Sequence, residues 1–295
     1  MRIGRYTERG SGESWCGVRI GETVVSLPGA GAGAGLAIPD DTAELFGGWR
    51  WRRKAEMAVE YAEETGTGLH SLDDLERLAP VSNPEKVVCV GLNYRDHAEE
   101  GGHPIPDSPA LFSKFPTAVT GPGATIEWDP DLTEKVDYEA ELVAVIGREA
   151  RRVSEEEALD YVAGFTIGND VSARDLQHGD GQWVRGKSLD TFAPIGPEVV
   201  TADEVCDPED LAIWAELNGE RLQDSSTSNF IFGIDELVSF CSHAFTLTPG
   251  DLLFTGTPPG VGVYREPPVL LGEGDEVTVG VEGLGELTNT CAFDD

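Results

Sequence analysis

The stretch "VDYEAELVAVIG", residues 136–147, places two glutamates at the mouth of an apolar run. Glu139 and Glu141 alternate with Ala140 and Leu142, and Val143 and Val145 continue their phase. Side chains two apart on a strand share a face. A strand here would therefore aim two carboxylates the same way as its valines. Desolvated carboxylates repel, and their pKa values climb unless positive charge lies between them. No arginine or lysine close in sequence shares that face. A hard divalent cation with oxygen ligands, Mg²⁺ or Ca²⁺, would resolve the conflict. So would a strand end whose glutamates simply reach solvent.

A third carboxylate follows in "GFTIGNDVSARDLQ", where an apolar run ends on Asp170, with Arg174 and Gln177 four and seven residues further on. Three carboxylates without a histidine suit Mg²⁺ or Mn²⁺, which keep waters for a substrate to displace. An Asn-Asp turn is the plainer alternative. "VGLNYRDHAEE" sets His97 three residues before Glu100. On a helical turn both lie on one side, and a carboxylate accepting the imidazole N–H raises its basicity, as in a water-activating general base. A surface histidine among acids fits the same residues. Lys187, in "RGKSLDTFAPIGP", stands out because the chain has only five lysines, the others being Lys54, Lys86, Lys114 and Lys135. It reads as a cation for developing negative charge or as an ordinary surface lysine. No P-loop accompanies it. In "FTGTPPGVG" (254–262) the turn amides and Thr257 offer a cradle for a carboxylate, or merely a tight turn.

These residues need elements to hold them, and the composition sets what kind. The chain has 295 residues, 54 acidic against 21 basic, for a formal net charge of −33. Nucleic-acid binders carry the opposite sign. The acids run along the whole length, as on a surface adapted to concentrated salt. No apolar run of membrane-spanning length and no secretory leader is visible. Five cysteines without metal or redox spacing read as buried thiols in a reducing cytoplasm.

The first 80 residues read as a small N-terminal unit, 1–80. Two glycine-broken strands come first, then a glycine-rich loop at "PGAGAGAGLAIP", then helix over "DTAELFGGWRWRRKAEMAVEYAEETG". The loop fails the dinucleotide fingerprint. Around Pro80 and Pro84 lies the expected boundary, with a second unit at 84–295. There "KVVCVGLNY", "ATIEW", "EAELVAVIG", "GFTIGND", "LAIWAELNG", "DLLFTGT" and "DEVTVGVEGLG" read as strands. "SEEEALDYVAG" is a helix opened by a Ser154/Glu157 capping box and stopped at Gly164, and "IDELVSFCSHAF" is a second helix. Strands without strict βαβ alternation predict an α+β, mostly β architecture rather than a Rossmann or TIM fold.

Together "GLNYRDHAEE", "DYEAELVAVIG", "GNDVSARDLQ", "GKSLDTFAPIGP", "LNGERLQDSSTSNFIF" and "LTPGDLLFTGTPPGVG" resemble the fumarylacetoacetate hydrolase family, over residues 86 to about 285. The resemblance implies a mixed β-roll with a small N-terminal α/β domain, usually as a homodimer. It implies a divalent cation, Mg²⁺ or Mn²⁺, on Glu139, Glu141 and Asp170, and His97 with Glu100 as a water-activating pair on a mobile lid. Lys187, Arg174 and Gln177 would face the reacting oxygens, and Thr257 the substrate carboxylate. "KVVCVG" lacks the further aspartate ligand of the longer fumarylacetoacetases, so the chain looks like the shorter branch. The activity so implied is hydrolysis of a C–C bond in a 2,4-dioxo acid, of acylpyruvate or diketo-sugar-acid type, to pyruvate and a carboxylic acid. The alternative is an oxaloacetate-type decarboxylase or a 2-oxo-enoic acid isomerase on the same metal site.

Overall fold

A computed structural model describes residues 1–294 of the chain. Its core is a twelve-stranded mixed sheet. The main path runs Leu69–Ser71, Thr23–Ser26, Ser14–Ile20, Arg2–Glu8, Ala193–Thr201, Val162–Asn169, Ala140–Ile146, Leu252–Phe254, Val87–Gly91 and Ala110–Lys114. A five-stranded sheet, from Glu220–Ser226 through Ala212–Leu217, Glu276–Val281 and Gly285–Phe293 to Thr125–Trp128, packs on its middle strands. The expected mixed β-roll with few helices is therefore what forms. All seven strands anticipated after residue 84 are present. Ala193–Thr201 escapes notice in the sequence because two prolines interrupt it.

Ala140–Ile146, Val162–Asn169 and Ala193–Thr201 are buried at every position. Strands in the middle of a sheet covered on both faces carry apolar residues on both, and simple alternation disappears. The registers Ala140↔Asn169, Val143↔Phe254 and Cys89↔Phe254 then decide where the chemistry sits. The chain leaves three strands at one end of the sheet, at Leu92, Asp170 and Thr255, and enters a fourth there at Glu139. Gly168, opposite Glu141, permits this packing, since a Cβ on it would lie 2.6 Å from Val143 Cγ2 and 2.5 Å from the Phe254 ring.

The first 80 residues extend the same sheet. Arg2 and Ile3 pair with Val200 and Val199, and the Met1 carbonyl accepts from Thr201 N. The glycine-rich segment is not the loop expected from its composition: Leu27–Gly33 is a helix. Ser26 caps it, accepting from Gly29 N, and Pro28 occupies the first turn. Its lack of side chains lets it lie close to its neighbours, since a Cβ on Gly33 would come 2.5 Å from the Tyr61 ring. Tyr61 belongs to the helix Trp51–Thr65, which a break at Gly48–Arg50 separates from the short helix Thr42–Gly47.

The helix expected to run to Gly164 is shorter as well. It covers Glu155–Ala158, one 3₁₀ turn follows, and Gly164 already lies within the strand Val162–Asn169. A Cβ there would meet the Val200 carbonyl at 2.2 Å, so that glycine serves strand packing and not helix termination. Ile234–Ala244 is helical as expected. Four of the five free cysteines are buried, while Cys206 is exposed, contrary to the reading of all five as buried thiols. Among the described residues no helix is long and apolar enough to cross a membrane.

Candidate active site

Glu139, Glu141 and Asp170 converge at the strand ends, each buried, each offering an oxygen within 4.8 Å of the others. The Asn169 side chain accepts from Glu139 N, and Asp170 N donates to the Glu139 carbonyl, so the two chain segments are locked together beside the carboxylates. Gly256 N donates to Glu141 Oε2 at 2.7 Å from a backbone with φ +99°, a conformation that favours glycine.

Cations share this face, contrary to what the local sequence suggested. Arg174 Nη1 lies 2.7 Å from Glu139 Oε1, and Lys187 Nζ donates to Glu139 Oε2 at 2.7 Å and to Asp170 Oδ2 at 2.8 Å. Both arrive from the segment after Asp170, 35 and 48 residues from Glu139, which a local reading of the strand does not reach. Lys187 thus spends two of its three hydrogens on the carboxylates themselves. Burial opposes its charge, but Asp170 and Glu139 outweigh burial and raise its pKa. Burial would likewise raise Glu139, but Lys187 and Arg174 hold it below the usual carboxylate range. Glu141 goes the other way: burial, then Asp170 and Glu139, push its pKa well up.

Three further buried groups complete the cluster, and sequence reasoning missed all three. Lys114 Nζ donates to the carbonyls of Val171, Lys187 and Phe192, at 2.9, 2.5 and 2.8 Å. Its Nζ also lies 2.6 Å from Asp170 Oδ1, a buried charge-assisted contact that shares the ammonium with the three carbonyls. The scarcity of lysine that singled out Lys187 applied equally to Lys114. Asp137 accepts from Arg174 Nε at 2.8 Å and from Gly262 N and Val263 N. It begins a period-two series of acids at 137, 139 and 141, which was the signal available. Gln223 stands in the small sheet, inside the stretch "LNGERLQDSSTSNFIF" that carries part of the family resemblance, but its residue type does not point to chemistry.

His97 lies on the helical turn Arg95–Glu100, with Nδ1 3.0 Å from Glu100 Oε2. Asp96 ties this turn to the small sheet's edge, accepting from Ser225 Oγ and Asn229 Nδ2. Glu100 Oε1 accepts from Gly260 N, so the pair is clasped to the loop after Phe254. Most amides of that loop are therefore turned to the protein's own carboxylates, which narrows the carboxylate cradle that the sequence suggested. Gly256 N serves Glu141, Gly260 N serves Glu100, and Gly262 N and Val263 N serve Asp137. Thr257 remains at the cavity wall.

His97, Glu139, Glu141, Asp170, Arg174, Gln177, Lys187 and Thr257 line a single cavity of about 440 Å³, and Glu100 stands behind His97. Its mouth is formed by residues the sequence did not flag, among them His103, His178, Trp183 and Tyr264. The cluster fits a hard divalent cation. Asp137, Glu139, Glu141 and Asp170 face Lys114, Arg174 and Lys187, which leaves one negative charge in excess, and Glu139, Glu141 and Asp170 each offer an oxygen within 4.8 Å of the others. A doubly charged ion would turn that excess into one positive charge, matched to an anionic substrate.

The family model described as "Fumarylacetoacetate (FAA) hydrolase C-terminal" matches residues 86–292. The chain belongs to this family. It is similar to the mitochondrial oxaloacetate tautomerase FAHD2B of Bos taurus, 49% identical over 214 residues, which cover 72% of this chain and 68% of that protein. Among solved structures it is similar to a fumarylacetoacetate hydrolase from psychrophilic Exiguobacterium antarcticum, at 35% identity, a TM-score of 0.86 and full coverage of both chains. It is also similar to maleylpyruvate hydrolase from Sphingobium sp. SYK-6, at 27% identity, a TM-score of 0.81 and full coverage of both. The chain is thus a metal-dependent enzyme of the family, built on an acidic metal site.

Proposed function

We propose that the chain interconverts the keto and enol forms of a small 2-oxo acid, with oxaloacetate as the favoured substrate. One observation carries the reading. A proton carrier lines the same cavity as the metal cluster, while most of the loop amides that could stabilise a tetrahedral oxyanion are bound to the protein's own carboxylates. Enolisation needs the first and not the second; acyl transfer to water needs both. The similarity to a protein named an oxaloacetate tautomerase supports the same choice over hydrolysis.

A divalent cation, Mg²⁺ or Mn²⁺, held by Glu139, Glu141 and Asp170, supplies Lewis-acid polarisation of the 2-oxo group and acidifies the neighbouring C3 protons. Glu100 accepts from His97 Nδ1, which leaves the Nε2 lone pair to take a C3 proton. The C–H pair becomes the C2=C3 bond, the carbonyl π pair moves onto the 2-oxygen, and the proton carried by His97 ends on that oxygen. Arg174, Gln177 and Thr257 bind the substrate's oxygens, and Lys187 holds Glu139 and Asp170 in place.

The test follows oxaloacetate ketonisation by ultraviolet absorbance and C3–H exchange in D₂O by NMR. His97→Ala should slow both by about 10²–10⁴-fold. An equal rate in the variant, or no catalysed exchange in the wild type, overturns the reading. Hydrolysis of a 2,4-dioxo acid is the second reading, favoured by the same His97–Glu100 pair and by the similarity to maleylpyruvate hydrolase. Incorporation of ¹⁸O from labelled water into a released acid would establish it, and CO₂ release would establish decarboxylation. The reading extends to a homodimer and to a surface adapted to concentrated salt, the latter supported by the net charge of −33.

A further inference from the structure

We propose that Gln223 is a positioning residue that makes Thr257 a hydrogen-bond donor to a substrate carboxylate. The inference rests on the cavity being a 2-oxo acid site. Gln223 lies on the strand Glu220–Ser226 of the small sheet and is fully buried. Chemistry settles which way its amide points. Ala140 N–H can only donate, and it lies 2.8 Å from Oε1; the Pro258 carbonyl can only accept, and it lies 2.8 Å from Nε2. The second amide hydrogen is thereby directed at Thr257 Oγ1, 2.9 Å away.

That bond sets the polarity of the threonine. Its oxygen accepts from Gln223, and its own hydrogen is left over. Among the described residues no group accepts that hydrogen, and Thr257 is 6% exposed on the cavity wall. The neighbouring amides of Gly256, Gly260 and Gly262 are already committed to Glu141, Glu100 and Asp137. The hydroxyl is therefore a donor presented to whatever acceptor enters the cavity. The same amide grips Ala140, the residue between Glu139 and Glu141, so one side chain registers the metal-facing strand against the carboxylate-facing hydroxyl.

The experiment is a double-mutant cycle read by calorimetric titration of oxalate into the Mg²⁺-loaded protein. Oxalate shares the planar, chelating oxygens of a 2-oxo acid enolate, and its binding requires no turnover. Gln223→Met and Thr257→Val should each weaken oxalate about tenfold, the scale of a hydrogen bond to a charged group. The double variant should be no weaker than Thr257→Val alone, because without the hydroxyl there is no polarity to set.

If Gln223→Met does not fold, Gln223→Glu takes its place. It keeps the acceptor for Ala140 N–H, and the cycle cancels its charge, which opposes oxalate equally in both backgrounds. Additive losses of oxalate affinity, no loss in the single Gln223 variant, or no oxalate binding by the wild type would each overturn the inference. Non-additive losses in a protein that does not turn over oxaloacetate would sustain it while removing the proposed reaction. Additive losses in a protein that does turn it over would remove this inference alone.

Discussion

The exterior and the cavity of this protein treat charge in opposite ways. Outside, acids outnumber bases, and the exposed cations are few. Inside, two of the five lysines, Lys114 and Lys187, are fully buried with Arg174 against Asp137, Glu139, Glu141 and Asp170. Among the described residues Glu198 and Asp251 are the other acids buried, and each also has a cation beside it. The difference teaches where charge is cheap. Surface repulsion is screened by salt, whereas a buried carboxylate needs a partner within a few ångströms. Two of the few lysines the chain keeps therefore stand where water and salt cannot substitute.

The largest effect that could break this comparison concerns the exterior. Dialysis from 1 M to 0.01 M KCl lengthens the Debye screening distance from about 3 Å to about 30 Å. The chain should lose its native circular dichroism, and full retention would remove salt adaptation from the account. Next comes the cavity at constant high salt. Glu141→Gln should lower turnover by about 10⁴-fold, several kcal/mol of lost cation chemistry, with weakened Mg²⁺ in calorimetry. Unchanged Mg²⁺ affinity would mean that the cluster is not the metal site.

Smaller, but sharper on the question of burial, is Lys114→Met. It leaves Asp170 and three carbonyls short of a cation and should cost about 3 kcal/mol in denaturant unfolding. A cost that vanished as salt was raised would place Lys114 among the screened charges after all. The smallest effect belongs to the exposed pair Arg185–Asp180, with N···O distances of 2.6 Å. Arg185→Ala should leave the denaturation midpoint unmoved at molar salt, despite better geometry than some buried contacts.

Much of the site was legible because its residues are chemically conspicuous. Glu139 and Glu141 interrupt an apolar strand, Asp170 ends another, and His97 and Glu100 fall at helical spacing. What stayed hidden were partners whose meaning is relational. Asp137 resembles any acid in an acidic chain until Arg174 is seen against it. Gln223 lies in a motif of the family, but its role is not legible there, because its bonds reach Ala140 and Thr257, which lie outside the small sheet. The helix Leu27–Gly33 was misread for a similar reason: glycine disfavours an isolated helix, and only packing against Tyr61 repays it.

The sequence by itself determined the strand-rich class, the family, the three carboxylates that converge and the histidine–carboxylate pair, since each follows from residue type at a local spacing. The tertiary structure alone decided which cations answer those carboxylates, which loop amides are already spent, and which way the Thr257 hydroxyl points. Electrostatic and hydrogen-bond energies depend on distances of a few ångströms, and residues far apart in the chain acquire such distances only when the sheets close on each other.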